Sequence, residues 1–382
     1  MRTIPFGKPI IGDEERKAVM DVLCGSQFVH GPKSKAFEAD FAAWTGAPRA
    51  VSVASCTAGL HLLGFDLGLQ PGDEVIVPAQ THVATAHAVE YTGARPVFVD
   101  AEPVTGNMDC DALEAAVTPR TRAISVVHFL GVPADMERIN AVARKHELFV
   151  IEDCALAVGT RLHGVHAGLL GDAGAFSFYP VKHMTTAEGG MVISRHEDLL
   201  ARLDKKRAFG VDRVVGERSV PGVYDVTMLG YNYRMNELEA ALGVEQVKRL
   251  DGFLAAREEN FTRLAAALAE VEELRVLGAV LPEGAQSSRY CLSVVLREDM
   301  RAKRLGIVNF LKAQGVGTSV YYPQPVPEMT YYREKYGATS GAFPHAAAIS
   351  QGVALPVGPH LDAEDMDYIA TAVTNAIQEV RK

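Results

Sequence analysis

Short apolar runs alternate with amphipathic stretches over the first two thirds of the chain, and this alternation constrains the fold more than any other feature. The runs predicted as strands are Arg49–Ala54, Asp73–Val77, Pro96–Asp100, Ala123–Phe129, Phe149–Glu152, Ala173–Phe178 and Gly190–Ser194. The stretches predicted as helices between them are Thr57–Leu67, Val83–Tyr91, Asp111–Val117 and Ala134–His146. Strands that alternate with helices at this spacing predict an α/β fold, in which a mostly parallel sheet is flanked by helices and binds ligands at the carboxyl ends of its strands.

The pattern changes near Met235. One long helix is predicted for Met235–Val271, which is rich in Ala, Leu and Glu at helical spacing. The elements predicted after it are the strand Tyr290–Leu296, the helix Ala302–Gln314, the strand Thr318–Tyr322 and the helix Leu361–Val380. We therefore expect an N-terminal segment at residues 1–28 that packs with the small domain, a large α/β domain at residues 29–250, and a small C-terminal α+β domain at residues 251–382.

The composition narrows the class of protein. The 382 residues are 48% apolar and 22% charged, which is ordinary globular usage. With 38 basic and 47 acidic residues the net charge is −9, which disfavours binding to nucleic acid or to an anionic membrane. The five cysteines are scattered without a C-x-x-C pair, so neither a metal site nor a disulfide framework is expected. The N-terminus carries no apolar leader and no apolar run has the length of a membrane span, which predicts a cytoplasmic protein.

Two strand ends carry side chains suited to catalysis. Lys182 follows a strand that ends near Ser177, and a lysine held in a dry cleft becomes a nucleophile toward aldehydes. The alternative for Lys182 is a surface lysine in a loop. The strand Phe149–Glu152 leads into Asp153, and a carboxylate at that position can pair with a protonated pyridine nitrogen. It could equally bind Mg²⁺ or cap the next helix.

Two further segments carry small and polar residues. Residues 54–60 (ASCTAGL) pass from a strand into a helix, where free N–H groups form an anion site, although an ordinary helix cap gives the same pattern. Residues 230–237 (GYNYRMNE) crowd the start of the long helix, and their alternative is a rigid inter-domain turn. The chain order of a phosphate-type helix start, a strand-end Asp and a strand-end Ser followed by Lys fits the needs of pyridoxal phosphate (PLP).

At these residues the sequence resembles the DegT/DnrJ/EryC1/StrS family of sugar aminotransferases, over essentially the whole chain. The most specific motifs are SFYPVK at 177–182 with EGG at 188–190, and GYNYRM at 230–235. Matching motifs elsewhere are IPFGKP at 4–9, HGP at 30–32, THVAT at 81–85 and PADM at 133–136. The resemblance implies the type I PLP-dependent aminotransferase fold, PLP as cofactor, and a homodimer with active sites at the subunit interface.

The resemblance also implies roles for individual residues at the cofactor. Lys182 is expected to be the catalytic residue, forming the Schiff base with PLP and then carrying protons between carbon and nitrogen. Asp153 is expected to pair with the pyridine nitrogen. Thr57, Ala58 and Ser177 are expected to hold the phosphate.

Other positions of the family pattern face the substrate or the second subunit. Asn232 is expected to reach the phosphate from the other subunit, and Arg234 to meet the carboxylate of the amino donor. His82 is expected against the face of the cofactor ring, with a capping or core histidine as the alternative. His30 and Tyr321 lie in loops expected to line the substrate pocket.

Three positions depart from the family pattern. Leu156 stands where the family usually has Gln or His near the phenolic oxygen of the cofactor, and leucine offers no hydrogen bond. Pro327 stands where a His is common, which puts a substrate contact there in doubt. Cys56 replaces the usual Gly before Thr57, and it is compatible with phosphate binding if its side chain points away.

The reaction that the resemblance implies is transfer of an amino group from L-glutamate or glutamine to a nucleotide-linked keto-sugar, such as a 4-keto-6-deoxyhexose. The alternatives on the same fold are a PLP-dependent sugar dehydratase, which carries His where Lys182 stands, and a cyclitol aminotransferase. An alternative of another class is a catalytically inactive PLP-binding regulatory protein.

Overall fold

The structure, a computed structural model, describes residues 2–212, 220, 223–337, 339 and 341–381. Its strands are β1 (Ala50–Val53), β2 (Glu74–Pro78), β3 (Arg95–Val99), β4 (Thr121–Val127), β5 (Phe149–Asp153), β6 (Arg161–Leu162), β7 (Val165–His166), β8 (Ala173–Ser177), β9 (Gly190–Ser194), β10 (Leu274–Val276), β11 (Ala285–Gln286), β12 (Leu292–Leu296) and β13 (Val353–Leu355). Its α-helices are α1 (Asp13–Leu23), α2 (Pro32–Thr45), α3 (Cys56–Asp66), α4 (Val83–Glu90), α5 (Cys110–Leu113), α6 (Met136–Lys145), α7 (Glu197–Lys206), α8 (Glu237–Leu268), α9 (Arg304–Ala313), α10 (Thr330–Tyr336), α11 (Pro344–Ser350) and α12 (Ala363–Arg381).

A seven-stranded sheet forms the centre of the molecule, in the order β1-β9-β8-β5-β4-β2-β3. The strands from β8 to β3 pair in parallel, and β9 runs antiparallel to both of its neighbours. Strands β1, β2 and β9 are buried along their whole length because side chains of the flanking elements cover the sheet. The predicted α/β class and the seven predicted strands of this sheet are confirmed.

A second sheet, in the order β10-β12-β13, is antiparallel and packs against the end of α8 and against α9 and α12. The prediction of a strand at Thr318–Tyr322 is wrong, since only Ser319 forms a bridge, to Ala354 of β13. Beyond that bridge the carbonyl of Tyr321 accepts a hydrogen bond from the side chain of Gln80 at 2.8 Å. The segment thus leaves the small sheet and turns toward the large one.

The long helix α8 begins and ends within a few residues of its predicted bounds. The side chain of Asn236 accepts hydrogen bonds from the N–H groups of Leu238 and Glu239, both at 3.0 Å, which fixes the start of the helix. The proposed boundary between residues 250 and 251 falls inside α8, so this helix belongs to both proposed domains. In the N-terminal segment, Ile4 is buried with the small sheet, and α1 packs on α8.

Membrane-spanning character is not found in the described part of the chain. None of its helices combines the length and the apolar surface that crossing a bilayer requires.

Candidate active site

The carboxyl ends of β5 and β8 and the start of α3 meet at one edge of the large sheet. Asp153 is the last residue of β5 and pairs in register with Ala175 of β8, two residues before Ser177. Ser177 in turn pairs with Gly190, the first residue of β9. A Cβ atom on Gly190 would lie 2.6 Å from the backbone nitrogen of Cys56, so the missing side chain lets β9 touch the start of α3.

The start of α3 has the geometry of an anion site. The hydroxyl of Ser55 caps the helix by accepting a hydrogen bond from the N–H of Ala58 at 3.1 Å, and the half-buried Thr57 lies in the first turn. The first N–H groups of a helix have no acceptor within it and carry partial positive charge. Gly59 allows this turn to pack closely, because a Cβ there would lie 2.9 Å from the side chain of Val192.

Asp153 is buried, with 4% of its surface exposed, and each carboxylate oxygen has a donor. Oδ2 accepts a hydrogen bond from the hydroxyl of Thr85 at 2.8 Å, and Oδ1 accepts one from the N–H of Ala155 at 3.0 Å. The Sγ atom of Cys56 lies 3.8 Å from Oδ1 and 3.4 Å from the carbonyl of Ala175. The Cys56 side chain is therefore directed at β5 and β8, which makes it compatible with an anion at the start of α3.

The neighbouring carboxylate, Glu152, has a different environment. It accepts hydrogen bonds from the ring of His128 at 2.7 Å and from the N–H groups of Gly168 and Gly171 at 2.7 and 2.6 Å. Cys154 lies near this pair, and the three side chains form a buried group with metal-ligand chemistry. Because protein donors already engage both oxygens of Glu152, this carboxylate holds the fold together behind the site.

Lys182 lies beside these groups, in the loop that follows β8. Burial lowers its pKa from 10.5 to about 8, although the negative charge of Asp153 partly opposes this effect. Its Nζ atom is 5.1 Å from the centre of the Tyr290 ring. A lysine with a pKa near 8 supplies far more neutral amine at physiological pH than an exposed lysine does, which is what nucleophilic attack requires.

His82 has both of the properties weighed from the sequence. Its Nδ1 atom accepts a hydrogen bond from the N–H of Ala84 at 3.2 Å, so it caps α4. Its ring also lies 5.6 Å from the ring of Tyr322. Burial lowers the pKa of His82, and the charge of Asp153 partly opposes this shift.

The Tyr321–Pro327 segment closes one side of the cluster. The hydroxyls of Tyr321 and Tyr290 are hydrogen-bonded at 2.8 Å, which connects Tyr321 to the ring beside Lys182. Leu156 is buried in an apolar cluster with Tyr290, and Tyr321 packs against that cluster. The cluster accommodates a leucine where the family usually has a hydrogen-bonding side chain. Pro327 is buried too.

The remaining site candidates lie elsewhere on the chain. Arg234 lies 3.4 Å from the Nε2 atom of His30 and stacks on the ring of Phe209 at 5.1 Å. Arg234 and His30 both line a surface cavity of about 1560 Å³, and Lys182 is not among its described lining residues. The exposed Asn232 forms a backbone bridge with Ala208. The segment that carries Asn232 lies next to the strand before α3, because the carbonyl of Tyr233 accepts a hydrogen bond from the N–H of Ala54 at 2.8 Å.

Several contacts at the site were not predicted from the sequence. Thr85 bonds Asp153, Tyr290 lies under Lys182, and the buried Arg257 donates hydrogen bonds to the carbonyls of Tyr290 and Lys182 at 2.8 and 3.4 Å. Only Thr85 had a sequence signal, because it lies in the THVAT motif. The contacts of Tyr290 and Arg257 depend on how distant segments pack.

These residues fit PLP. A desolvated lysine, a buried carboxylate at a strand end and a helix start with free N–H groups match the three groups of the cofactor, which are an aldehyde, a pyridine nitrogen and a phosphate. Lys182, Asp153 and Thr57 lie on three different elements that converge at one edge of the sheet.

Known proteins support this match. Residues 9–374 match the DegT/DnrJ/EryC1/StrS aminotransferase family. SpsC, a spore coat polysaccharide biosynthesis protein of Bacillus subtilis, is 38% identical over 380 residues, which cover 98% of this chain and 97% of SpsC.

Two solved structures share the fold. Spr1654 of Streptococcus pneumoniae, described as a sugar aminotransferase and solved in PLP and PMP forms, is 29% identical with a TM-score of 0.93 over 99% of this chain and 100% of that one. PseC of Helicobacter pylori, an aminotransferase involved in the biosynthesis of pseudoaminic acid, is 25% identical with a TM-score of 0.92 over the same shares. The expected family, fold and cofactor are thus confirmed, and the chain belongs to the DegT/DnrJ/EryC1/StrS family of PLP-dependent sugar aminotransferases.

Proposed function

We propose that this chain transfers the amino group of L-glutamate, or of glutamine, to a nucleotide-linked keto-sugar, with a 4-keto-6-deoxyhexose as the substrate class. The observation that carries the proposal is the convergence of Lys182 and Asp153, a desolvated amine and a buried carboxylate, beside the start of α3. PLP, when bound, supplies an electron sink that stabilises negative charge on the carbon that loses a proton.

In this proposal Lys182 has two tasks. Its neutral amine would anchor the cofactor covalently. Once the amino donor has displaced it, the same amine would take the α-proton from the donor and return it to the former aldehyde carbon of the cofactor. Burial supports both tasks because it lowers the pKa of Lys182 to about 8, near the working pH. Asp153 holds a positive charge on the pyridine nitrogen, and its donors keep the carboxylate in place.

The phosphate is held at the start of α3. Thr57 contributes its hydroxyl and its N–H, and Ser177 adds a hydroxyl from the end of β8. The N–H of Ala58, which donates to the hydroxyl of Ser55, lies in the same turn and is proposed to face the phosphate as well. We propose that the enzyme is a homodimer in which Asn232 of one subunit reaches the phosphate in the other. The exposure of Asn232 supports this arrangement, because an exposed side chain is open to a second copy.

We propose that three further residues contact the amino donor and the sugar. Arg234 and His30 lie together at a large open cavity, and a guanidinium there suits the carboxylate of the amino donor. Tyr321 presents its ring beside Tyr290 and is proposed to contact the sugar. The names of SpsC and PseC, which refer to polysaccharide and sugar-acid biosynthesis, support a sugar acceptor.

Two alternatives on the same fold are separated by residues and by substrate. A sugar dehydratase of this fold carries His where this chain has Lys182. The lysine at this position therefore favours transamination. A cyclitol aminotransferase would use the same chemistry on another acceptor, and only an acceptor screen distinguishes it.

The first test is the visible absorption spectrum of the purified holo-protein before and after addition of L-glutamate. We expect a yellow band that glutamate bleaches, while Lys182→Ala lacks the band and the matched variant Lys145→Ala, which removes an exposed lysine paired with Glu114, keeps it. Borohydride reduction followed by peptide mass spectrometry should place the cofactor on Lys182. A band that neither glutamate nor glutamine alters would favour the inactive PLP-binding protein.

The acceptor is tested separately. Protein whose yellow band has been bleached by glutamate is mixed with nucleotide-linked 4-keto-6-deoxyhexoses, with 3-keto sugars or with keto-cyclitols. Recovery of the yellow band is followed. We expect recovery with the first group. Recovery with keto-cyclitols alone would contradict the proposed substrate class while leaving transamination intact.

A further inference from the structure

A chain of two threonine hydroxyls ends on the carboxylate of Asp153. The hydroxyl of Thr85, in the first turn of α4, lies 2.8 Å from Oδ2 of Asp153, and the hydroxyl of Thr81 lies 2.6 Å from that of Thr85. Both threonines are 1% exposed. Buried hydroxyls of this kind are hydrogen-bonded in a fixed pattern because water cannot replace a lost partner.

The acceptor at the end of the chain fixes the direction of both hydrogen bonds. An ionised carboxylate can only accept, so Thr85 donates to Asp153 and Thr81 donates to Thr85. A hydroxyl polarised in this way is a stronger donor, and a hydrogen bond to a charged group is stronger than a neutral one. The other oxygen of Asp153 accepts the N–H of Ala155.

We propose that Thr85, supported by Thr81, is a positioning residue that orients the carboxylate of Asp153 toward the pyridine nitrogen of the cofactor. This inference rests on the role proposed above for Asp153. The start of α4 explains the geometry, because Thr81 lies just before the N-cap His82 and Thr85 lies in the first turn, which brings their hydroxyls within 2.6 Å. His82, between them, caps the same helix, so α4 carries both the ring near the cofactor face and the support of Asp153.

The hydroxyl of Thr85 has an unusual direction for a threonine in a helix. A threonine hydroxyl in a helix often bonds a backbone carbonyl of the preceding turn, as Thr45 does with the carbonyl of Phe41 at 2.8 Å. Thr85 instead bonds a side chain on another element. Thr45 is 2% exposed, so Thr45→Val removes an equally buried hydroxyl with no connection to Asp153 and serves as the matched control.

The test compares Thr85→Val, Thr85→Ser, Thr81→Val and Thr45→Val by PLP dissociation constant and by the visible circular dichroism of the bound cofactor, which reports its orientation. We expect Thr85→Val to weaken PLP binding roughly ten-fold and to change the dichroic band, because the carboxylate loses its charge-assisted donor. Thr85→Ser keeps the hydroxyl and should match the unmodified protein. Thr81→Val should show a smaller loss, and Thr45→Val none.

Asp153→Asn separates failure of this inference from failure of the proposed function. If Asp153→Asn leaves PLP affinity and the dichroic band unchanged, the role proposed for Asp153 is wrong. If Asp153→Asn alters both while Thr85→Val alters neither, only the positioning role of Thr85 is overturned. If Thr85→Val does not fold, the inference stands or falls on Thr81→Val, which leaves the hydroxyl of Thr85 in place and must still alter the dichroic band.

Discussion

At the scale of single residues, the environment of Lys182 decides the chemistry. Its amine is removed from water, and the carboxylate of Asp153 partly opposes the lowering of its pKa. An ammonium group in such a place loses its proton more readily than one in water, because burial penalises the charged form. The same burial that excludes water therefore also prepares the nucleophile.

This environment predicts the pH dependence of cofactor capture. The pKa of Lys182 is lowered to about 8, so the fraction of neutral amine, and with it the rate at which the apo-protein captures PLP, should rise with pH and level off above about pH 8. An unperturbed lysine would still show a rising rate near pH 10. Stopped-flow absorbance after mixing apo-protein with PLP measures the profile.

The charge of Asp153 provides the control for this profile. Because its carboxylate favours the ammonium form of Lys182, Asp153→Asn should move the midpoint of the profile to lower pH. A midpoint close to that of a free lysine in the unmodified protein would show that the amine is not desolvated in solution.

The roles of some site residues could be predicted from the sequence, and the roles of others could not. Lys182 and Asp153 could be predicted because each follows a clear strand, and the end of a strand is where this class of sheet binds ligands. Tyr290 and Arg257 could not be predicted, because their contacts with Lys182 join segments about 75 to 108 residues apart in the chain. The structural role of Glu152, next to Asp153, likewise depends on His128 and on the loop after β7.

At the scale of elements, the join between β9 and α3 depends on a missing side chain. A Cβ on Gly190 would lie 2.5 Å from the carbonyl carbon of Ser55 and 2.7 Å from the carbonyl oxygen of Phe176, which are backbone atoms that cannot rotate away. Gly190→Ala should therefore displace the start of α3 and weaken PLP binding by about ten-fold or more. Equilibrium titration with PLP measures the loss.

Gly252 offers the matched substitution. It lies in the middle of α8, and a Cβ there would have no atom within 4 Å. Gly252→Ala should leave PLP binding unchanged and stabilise the protein by up to about 1 kcal/mol, because alanine favours the helix. Thermal unfolding of both variants separates stability from binding. Normal PLP affinity in Gly190→Ala would show that β9 and the start of α3 tolerate a side chain at this position.

Element prediction succeeded for the strands of the large sheet, but it missed the helices α1, α2 and α7, which have 11, 14 and 10 residues. The large sheet was predicted strand by strand because each of its strands is a distinct apolar run of four to seven residues. In the small sheet only β12 was predicted, within the run Tyr290–Leu296. The strand-like run Thr318–Tyr322 turns toward Gln80 instead, and Val353–Leu355 has only three residues and gives no period. The helices α10 and α11 have seven residues each and were missed for the same reason.

At the scale of the whole molecule, the exposure of Asn232 bears on the proposed shared site. Lys182 and Asp153 lie together, while Asn232 is exposed on a segment that pairs with Ala208, beside the cavity lined by His30 and Arg234. In the proposed homodimer, Asn232 of one copy reaches the phosphate held at the start of α3 in the other. A closed two-fold dimer gives each subunit the same contribution to make and to receive.

Subunit complementation tests this arrangement. Lys182→Ala and Asn232→Ala should each impair activity alone, but a mixed dimer contains one site with both native residues. Random exchange of subunits between equal amounts makes half of the dimers mixed, so about a quarter of the native activity should return. Activity is measured by glutamate-dependent amination after co-refolding, with each variant refolded alone as the control. If both residues served the same subunit's site, no mixed dimer would contain an intact site, and the mixture would show only the average of the two variants.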